Sequence, residues 1–136
     1  MATTLLEISR AASMDLLGRD INIAVYRQKL DRMALELEQR LQNVSSPEKM
    51  MQIMSQYFYH DLGFNTDASD TVGQDPRNLL FNDVLDRKKG YCLTLSLPYL
   101  CMAEKLQLPL YGVPAPGHFF VRFDSRGTQI DIETTD

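Results

Sequence analysis

The feature that most constrains this chain is a change in the period of its apolar residues near residue 109. Before it, apolar side chains recur every three or four positions. Ile23, Tyr26, Leu30, Met33, Leu37 and Leu41 fall on one face of a helix predicted over residues 22–42, with Glu36, Glu38, Gln39 and Arg40 mainly on the other side. The stripe lasts only about three heptads, so it reads as core packing rather than a coiled coil. Residues 4–17 predict a shorter amphipathic helix ending near Gly18. Ser45-Ser46-Pro47-Glu48 is a start signal, a serine cap followed by proline at the first helical position. The helix it opens carries Met50, Met51, Ile53, Met54, Tyr57 and Phe58 and should end before Gly63. Its methionines, with Met33, read as flexible core filler.

Residues 65–78 are rich in Asp, Asn, Gly and Pro and predict a loop, which marks the boundary of a helical N-terminal layer over residues 1–64. Leu79–Leu85 gives a helical turn or two, broken at Asp86-Arg87-Lys88-Lys89-Gly90. Residues 92–106 form a strongly apolar helix. Pro98 within it removes the backbone donor to Thr94 and predicts a kink or a later start. Then the period changes. Leu110–Val113, His118–Asp124 and Thr128–Glu133 read as strands, the last two joined by a hairpin turn at Asp124-Ser125-Arg126-Gly127. Helices first and strands last make an α+β domain with a small antiparallel sheet. At 136 residues, residues 1–136 form one domain, whose second part, 75–136, carries the chemistry.

Charge and composition exclude several classes. The chain is 44% apolar and 24% charged, with a formal net charge of −4. Its densest basic cluster, Arg87, Lys88 and Lys89, is preceded at once by Asp83 and Asp86, which disfavours a nucleic-acid partner. No apolar run of about 18 residues exists, so no membrane span is expected. The N-terminus lacks the basic n-region and apolar stretch of a signal peptide. On one helix, Cys92 and Cys101 are separated by about 13 Å, at ~1.5 Å per residue, beyond disulfide reach. Two free thiols suit a reducing cytoplasm. No CxxC or HxxxH spacing links the two cysteines and two histidines, so no metal is expected. Gly112 and Gly117 do not fit a phosphate-binding loop, and no cofactor is expected.

Cys92 follows Gly90-Tyr91 and heads the apolar helix, where the helix dipole and unpaired N–H groups favour a thiolate and offer an oxyanion hole. A thiolate nucleophile needs a base and a group that orients the base. Of the two histidines, His60 lies beside Asp61 in the Met-rich helix. His118 begins a strand after Pro114-Ala115-Pro116-Gly117. On the next strand Asp131 and Glu133, two apart, point to one face, and the hairpin brings positions near 131–133 opposite 119–121. An acid from either position can therefore hold the His118 tautomer. Each piece alone has a bland reading: Cys in an apolar helix is ordinarily inert core, and acids at a strand end are ordinarily solvated. Their conjunction on suitable elements carries the inference. Cys101 reads as core.

The run DPRNLLFNDVLDRKKGYCLTLSLPYLCMAEKLQLPLYGVPAPGHFFVRFD resembles the transglutaminase-like superfamily, in particular a bacterial branch in which this domain precedes tetratricopeptide-type repeats. YRQKLDRMALELEQRL resembles the helix preceding the core there. The resemblance implies a papain-like fold and a Cys-His-acid triad of Cys92, His118 and Glu133. Glu133-Thr134-Thr135 matches the frame of the family's Asp-Pro-Thr-like string, with Asp131 as the rival acid. Some members of the branch carry Ile-Pro in place of Tyr91-Cys92 and look inactive; this chain keeps the thiol. It has Phe119 where the wider superfamily often has Trp, and the downstream repeats are absent, as in an excised domain or a truncated member.

The function these readings imply is a thiol-dependent hydrolase or acyltransferase acting on peptide or isopeptide amide bonds of a protein or peptide substrate. The alternative is a non-enzymatic interaction or regulatory domain that retains a relic triad.

Overall fold

The apolar stripes become helices whose ends are set by local caps. The computed structural model describes residues 1–70 and 73–135. Of the loop expected over 65–78, residues 71 and 72 fall outside that range, as does residue 136 of the expected 1–136 domain. Helix α1 spans Ala2–Leu17 and closes on Gly18 in the left-handed conformation. Helix α2 spans Ile23–Leu41, capped by the Asn22 side chain, which accepts from the Ala24 N–H. Helix α3 spans Pro47–Ser55, and Ser46 Oγ accepts from the Lys49 N–H at its start. A cap of this type stabilises a helix by about 1 kcal/mol.

Helix α3 does not stop at its α-helical end. It runs on as a π-helical turn over Gln56–Asp61, which the apolar spacing does not reveal. The wider turn lets the adjacent Tyr57 and Phe58 both enter the core, where they are 0% and 1% exposed. The polar segment that follows is more ordered than a plain loop. It contains strand β1 (Asn65–Thr66) and a 3₁₀ turn (Pro76–Asn78); helix α4 (Phe81–Arg87) and strand β2 (Lys89–Gly90) follow it, and β2 pairs in parallel with β1.

Helix α5 spans Cys92–Leu106 with Pro98 inside it. The helix therefore starts at Cys92, and the later start that Pro98 suggested does not occur. Proline is tolerated here in a helix buried between layers, where packing outweighs one lost backbone bond. Strands β3 (Leu110–Ala115), β4 (His118–Ser125) and β5 (Thr128–Ile132) form an antiparallel sheet in that order. Arg126 and Gly127, both at positive φ, make the two-residue turn between β4 and β5. The register pairs Val121 with Ile132 and Arg122 with Asp131.

Helix α5 is the hub: β3 and β4 pack against it, and so do α2 and α4, while α3 lies on β5. One apolar cluster joins these layers, with Leu30, Leu37, Met54, Val84, Met102 and Val121 fully buried. Each such side chain contributes about 1.5–3 kcal/mol. This mixed helix-and-sheet architecture matches the α+β expectation.

Candidate functional site

The Thr94 hydroxyl and Asn78 fix the turn that presents Cys92. Thr94 Oγ1, 2% exposed, accepts from the Tyr91 N–H at 3.1 Å and donates to the Asn78 carbonyl at 2.7 Å. Asn78, itself buried, donates to Asp67 and Asp70 and accepts from Arg87. Arg87 also pairs with Asp67 at 3.1 Å. Asp67 accepts in addition from the Ser69 hydroxyl and N–H, and Asp70 from the Gln74 and Asp75 N–H groups. These bonds hold both carboxyls below the usual carboxylate range: Ser69 contributes most at Asp67, and Asn78 at Asp70. The apparently free loop is thus a hydrogen-bonded wall tied to the first turn of α5.

That wall and the sheet enclose a cleft of about 690 Å³. Cys92 and Tyr91 line it from α5, Asp67 and Asp70 from the wall, and Gly117, His118 and Phe119 from the start of β4. Cys92 is half-buried at its head. Tyr91, beside it, has its phenol pushed up, first by burial and then by the neighbouring Cys92 charge. Gly117, at φ 68, supplies the left-handed turn that delivers His118 to the cleft.

His118 is paired. Its Nε2–H donates to Glu133 Oε1 at 2.7 Å and Oε2 at 2.9 Å. A carboxylate only accepts, so the hydrogen on Nε2 is assigned to this bond, and in the neutral imidazole Nδ1 then carries the lone pair. Phe120, two residues along the same face, stacks against the imidazole at 6.2 Å between centroids, and Arg122 lies over the Phe120 ring at 5.6 Å. Asp131 and Glu133 lie across from this row but have different partners. Asp131 bonds Arg122 Nε at 2.7 Å, its register partner, and is not joined to His118. The expectation that either acid could hold the imidazole separates here: Asp131 is bonded to its register partner Arg122, while Glu133, beyond the last paired residue Ile132, reaches diagonally to His118.

The remaining candidates lie elsewhere. Cys101 is 1% exposed in the core, and burial pushes its thiol up to about 12. His60 lines a second cleft of about 610 Å³, together with Tyr59, Asp131 and Glu133. Among the described residues no group of three or more His, Cys, Asp or Glu could hold a metal ion, and no helix is long and apolar enough to cross a membrane. Sequence reasoning missed Thr94, Ser96, Asn78, Phe120 and Thr134. The available signals were positional: Ser96 lies one turn after Cys92, Phe120 two residues after His118, and Thr134 next to Glu133.

Comparison with known proteins agrees with this architecture. A family model described as transglutaminase-like superfamily matches residues 24–136. The UPF0162 protein of Xylella fastidiosa (strain Temecula1) is 28% identical over 103 residues, covering 76% of this chain and 36% of that protein. The UPF0162 protein of Pasteurella multocida is 35% identical over 75 residues, 55% of this chain and 28% of that protein. Human F-box only protein 21 is 29% identical over 94 residues, 68% of this chain and 15% of that protein. The chain thus spans little more than a third of the Xylella fastidiosa relative, and less of the other two. No solved structure matches. With the family model covering most of the chain, including the cleft and both strands of the His118 hairpin, this chain belongs to the transglutaminase-like superfamily.

Proposed function

We propose that this domain is a thiol-dependent hydrolase or acyltransferase acting on amide bonds of a protein or peptide, with Cys92 as nucleophile, His118 as base and Glu133 as the acid that orients it. The observation that carries the reading is that His118, paired through Nε2 with Glu133, lines the same cleft as Cys92, which sits at a helix N-terminus. In this reading His118 Nδ1 takes the thiol proton, and the sulfur attacks the amide carbonyl carbon. The tetrahedral oxyanion is met by N–H groups at the head of α5. Tyr91 N–H is already given to Thr94, so Cys92 N–H takes that role. Collapse expels the amine, which takes its proton from His118, and leaves a thioester on Cys92. Water, deprotonated by His118, then releases the carboxylic acid; an amine in its place completes acyl transfer.

The same reading assigns residues 1–136 to a single papain-like domain of the bacterial branch that precedes tetratricopeptide-type repeats, acting in the reducing cytoplasm that two free thiols suit. A peptide-based electrophilic probe tests the chemistry. Intact-mass analysis should find one adduct on the native protein and none on Cys92→Ala or His118→Ala at matched times. A native protein that forms no adduct overturns the enzyme and leaves the interaction domain with a relic triad.

A further inference from the structure

Glu133 stands where a side chain should wander. The last paired residue of β5 is Ile132, so Glu133 lies just beyond the ladder, and its side chain is 48% exposed. Yet it chelates His118 Nε2–H with both oxygens. The next residue supplies an anchor. Thr134 is 5% exposed, and its Oγ1 lies 3.0 Å from Ser96 Oγ, which is 0% exposed. Ser96 Oγ in turn lies 2.7 Å from the carbonyl oxygen of Cys92, while Thr134 Oγ1 is 3.4 Å from that oxygen.

Proton counting orients the chain. The carbonyl can only accept, and the short 2.7 Å contact uses the single hydrogen of Ser96. Ser96 Oγ then has only lone pairs for Thr134, so the Thr134 hydroxyl is the donor. The order is Thr134 to Ser96 to Cys92 carbonyl. Two hydroxyls are buried with their hydrogens placed, and neither touches the cleft. They connect the segment carrying the acid to the turn carrying the thiol, 42 residues apart in sequence.

We propose that Ser96 and Thr134 are positioning residues: a buried hydroxyl clasp that locks the Glu133 segment onto the first turn of α5, so that the carboxylate, the imidazole and the thiol share one frame. This rests on the triad reading above. Fixing Glu133 matters because a half-exposed carboxylate otherwise samples rotamers that leave Nε2 to water and let the imidazole tautomers mix.

The test uses the whole chain and two readouts: the iodoacetamide rate at Cys92 near pH 7, and the His118 tautomer by long-range ¹H–¹⁵N NMR. Thr134→Val keeps the shape and removes the hydroxyl. It should slow alkylation roughly fivefold to tenfold, the kinetic equivalent of one ordinary hydrogen bond, and should mix the tautomers. Thr134→Ser should restore both readouts, which a purely packing role would not require. Glu133→Gln is the reference. If Glu133→Gln moves both readouts and Thr134→Val moves neither, the clasp is overturned and the triad reading stands. If Glu133→Gln moves neither, it is the triad reading that fails. Should Thr134→Val not fold, Ser96→Ala is read instead. It leaves Thr134 only the 3.4 Å contact, too long for a good O–H···O bond, so a loss of reactivity supports the clasp and native behaviour overturns it.

Discussion

Helix α5 carries two cysteines with opposite surroundings. Cys101 is enclosed by the core and its thiol is pushed up to about 12, whereas Cys92 opens into the cleft. Iodoacetamide at neutral pH should therefore modify Cys92 alone in the folded protein, and peptide mapping should find Cys101 unmodified until denaturant is added. The two acids divide in the same way. Glu133→Gln replaces the carboxylate on His118 and should lower Cys92 reactivity by about tenfold or more, while Asp131→Asn, which loses a surface pair with Arg122, should leave it within about twofold. Equal effects would mean that the hydrogen-bond pattern does not report the working acid. At this scale Cys92 and His118 stood out as candidates because the chain has only two cysteines and two histidines and these two sit at element ends. Among 18 carboxylates the residues alone left Asp131 and Glu133 open, and only the family resemblance favoured Glu133. Ser96 and Thr134 did not stand out, because a hydroxyl in an apolar stretch gives no sign of its partner until the 42-residue gap between Cys92 and Thr134 is closed.

The elements around the site depend on two close approaches that only glycine permits. A Cβ on Gly90 would lie 2.6 Å from Thr94 Oγ1, and one on Gly112 would lie 2.4 Å from Phe119 Cζ. Gly90→Ala should break the bond from Tyr91 N–H to Thr94, destabilise the fold by about 1–3 kcal/mol and slow Cys92 alkylation. Gly112→Ala should cost a similar amount, about 1–3 kcal/mol, by displacing the Phe119 ring at the cleft; urea melts and alkylation rates check both. The wall opposite is sensitive to acid. Asp67, Asp70 and Asp75 titrate below their ordinary value because hydrogen bonds favour their ionised forms. Such groups contribute stability that is fully present above the unfolded pKa, about 3.9, and is lost as pH falls below it. The urea midpoint should drop as pH falls below about 4, and Asp67→Asn should flatten that drop. The helices and the hairpin were readable from period and turn residues. The π turn at Gln56–Asp61 and the β1–β2 pair were not, since one is a local widening and the other consists of two residues per strand joined across the chain.

In the whole molecule, α5 is both the packing hub and the platform for Cys92, so the core and the candidate site share one element. It packs against α2 and α4, and its first turn is bonded to the Asn78 wall through Thr94 and to the Thr134 clasp through Ser96. The sheet presents His118 from β4, and the chain returns through β5 to bring Glu133 alongside it. The order of periods, helical and then alternating, was enough to read the α+β class. The wall formed by Asp67, Asp70 and Asn78 was not legible, because a run of Asp, Asn and Gly looks the same whether it is solvated or bonded to a half-buried Arg87 and a buried Asn78.

The central claim is that His118 activates Cys92 within this cleft. The most direct test is the iodoacetamide rate at Cys92 followed from acidic to alkaline pH, native chain beside His118→Ala. Reactivity that persists well below pH 7 in the native chain and is lost in the variant is the predicted result. Two superimposable profiles, both rising only near the free-cysteine value of about 8.5, would contradict it.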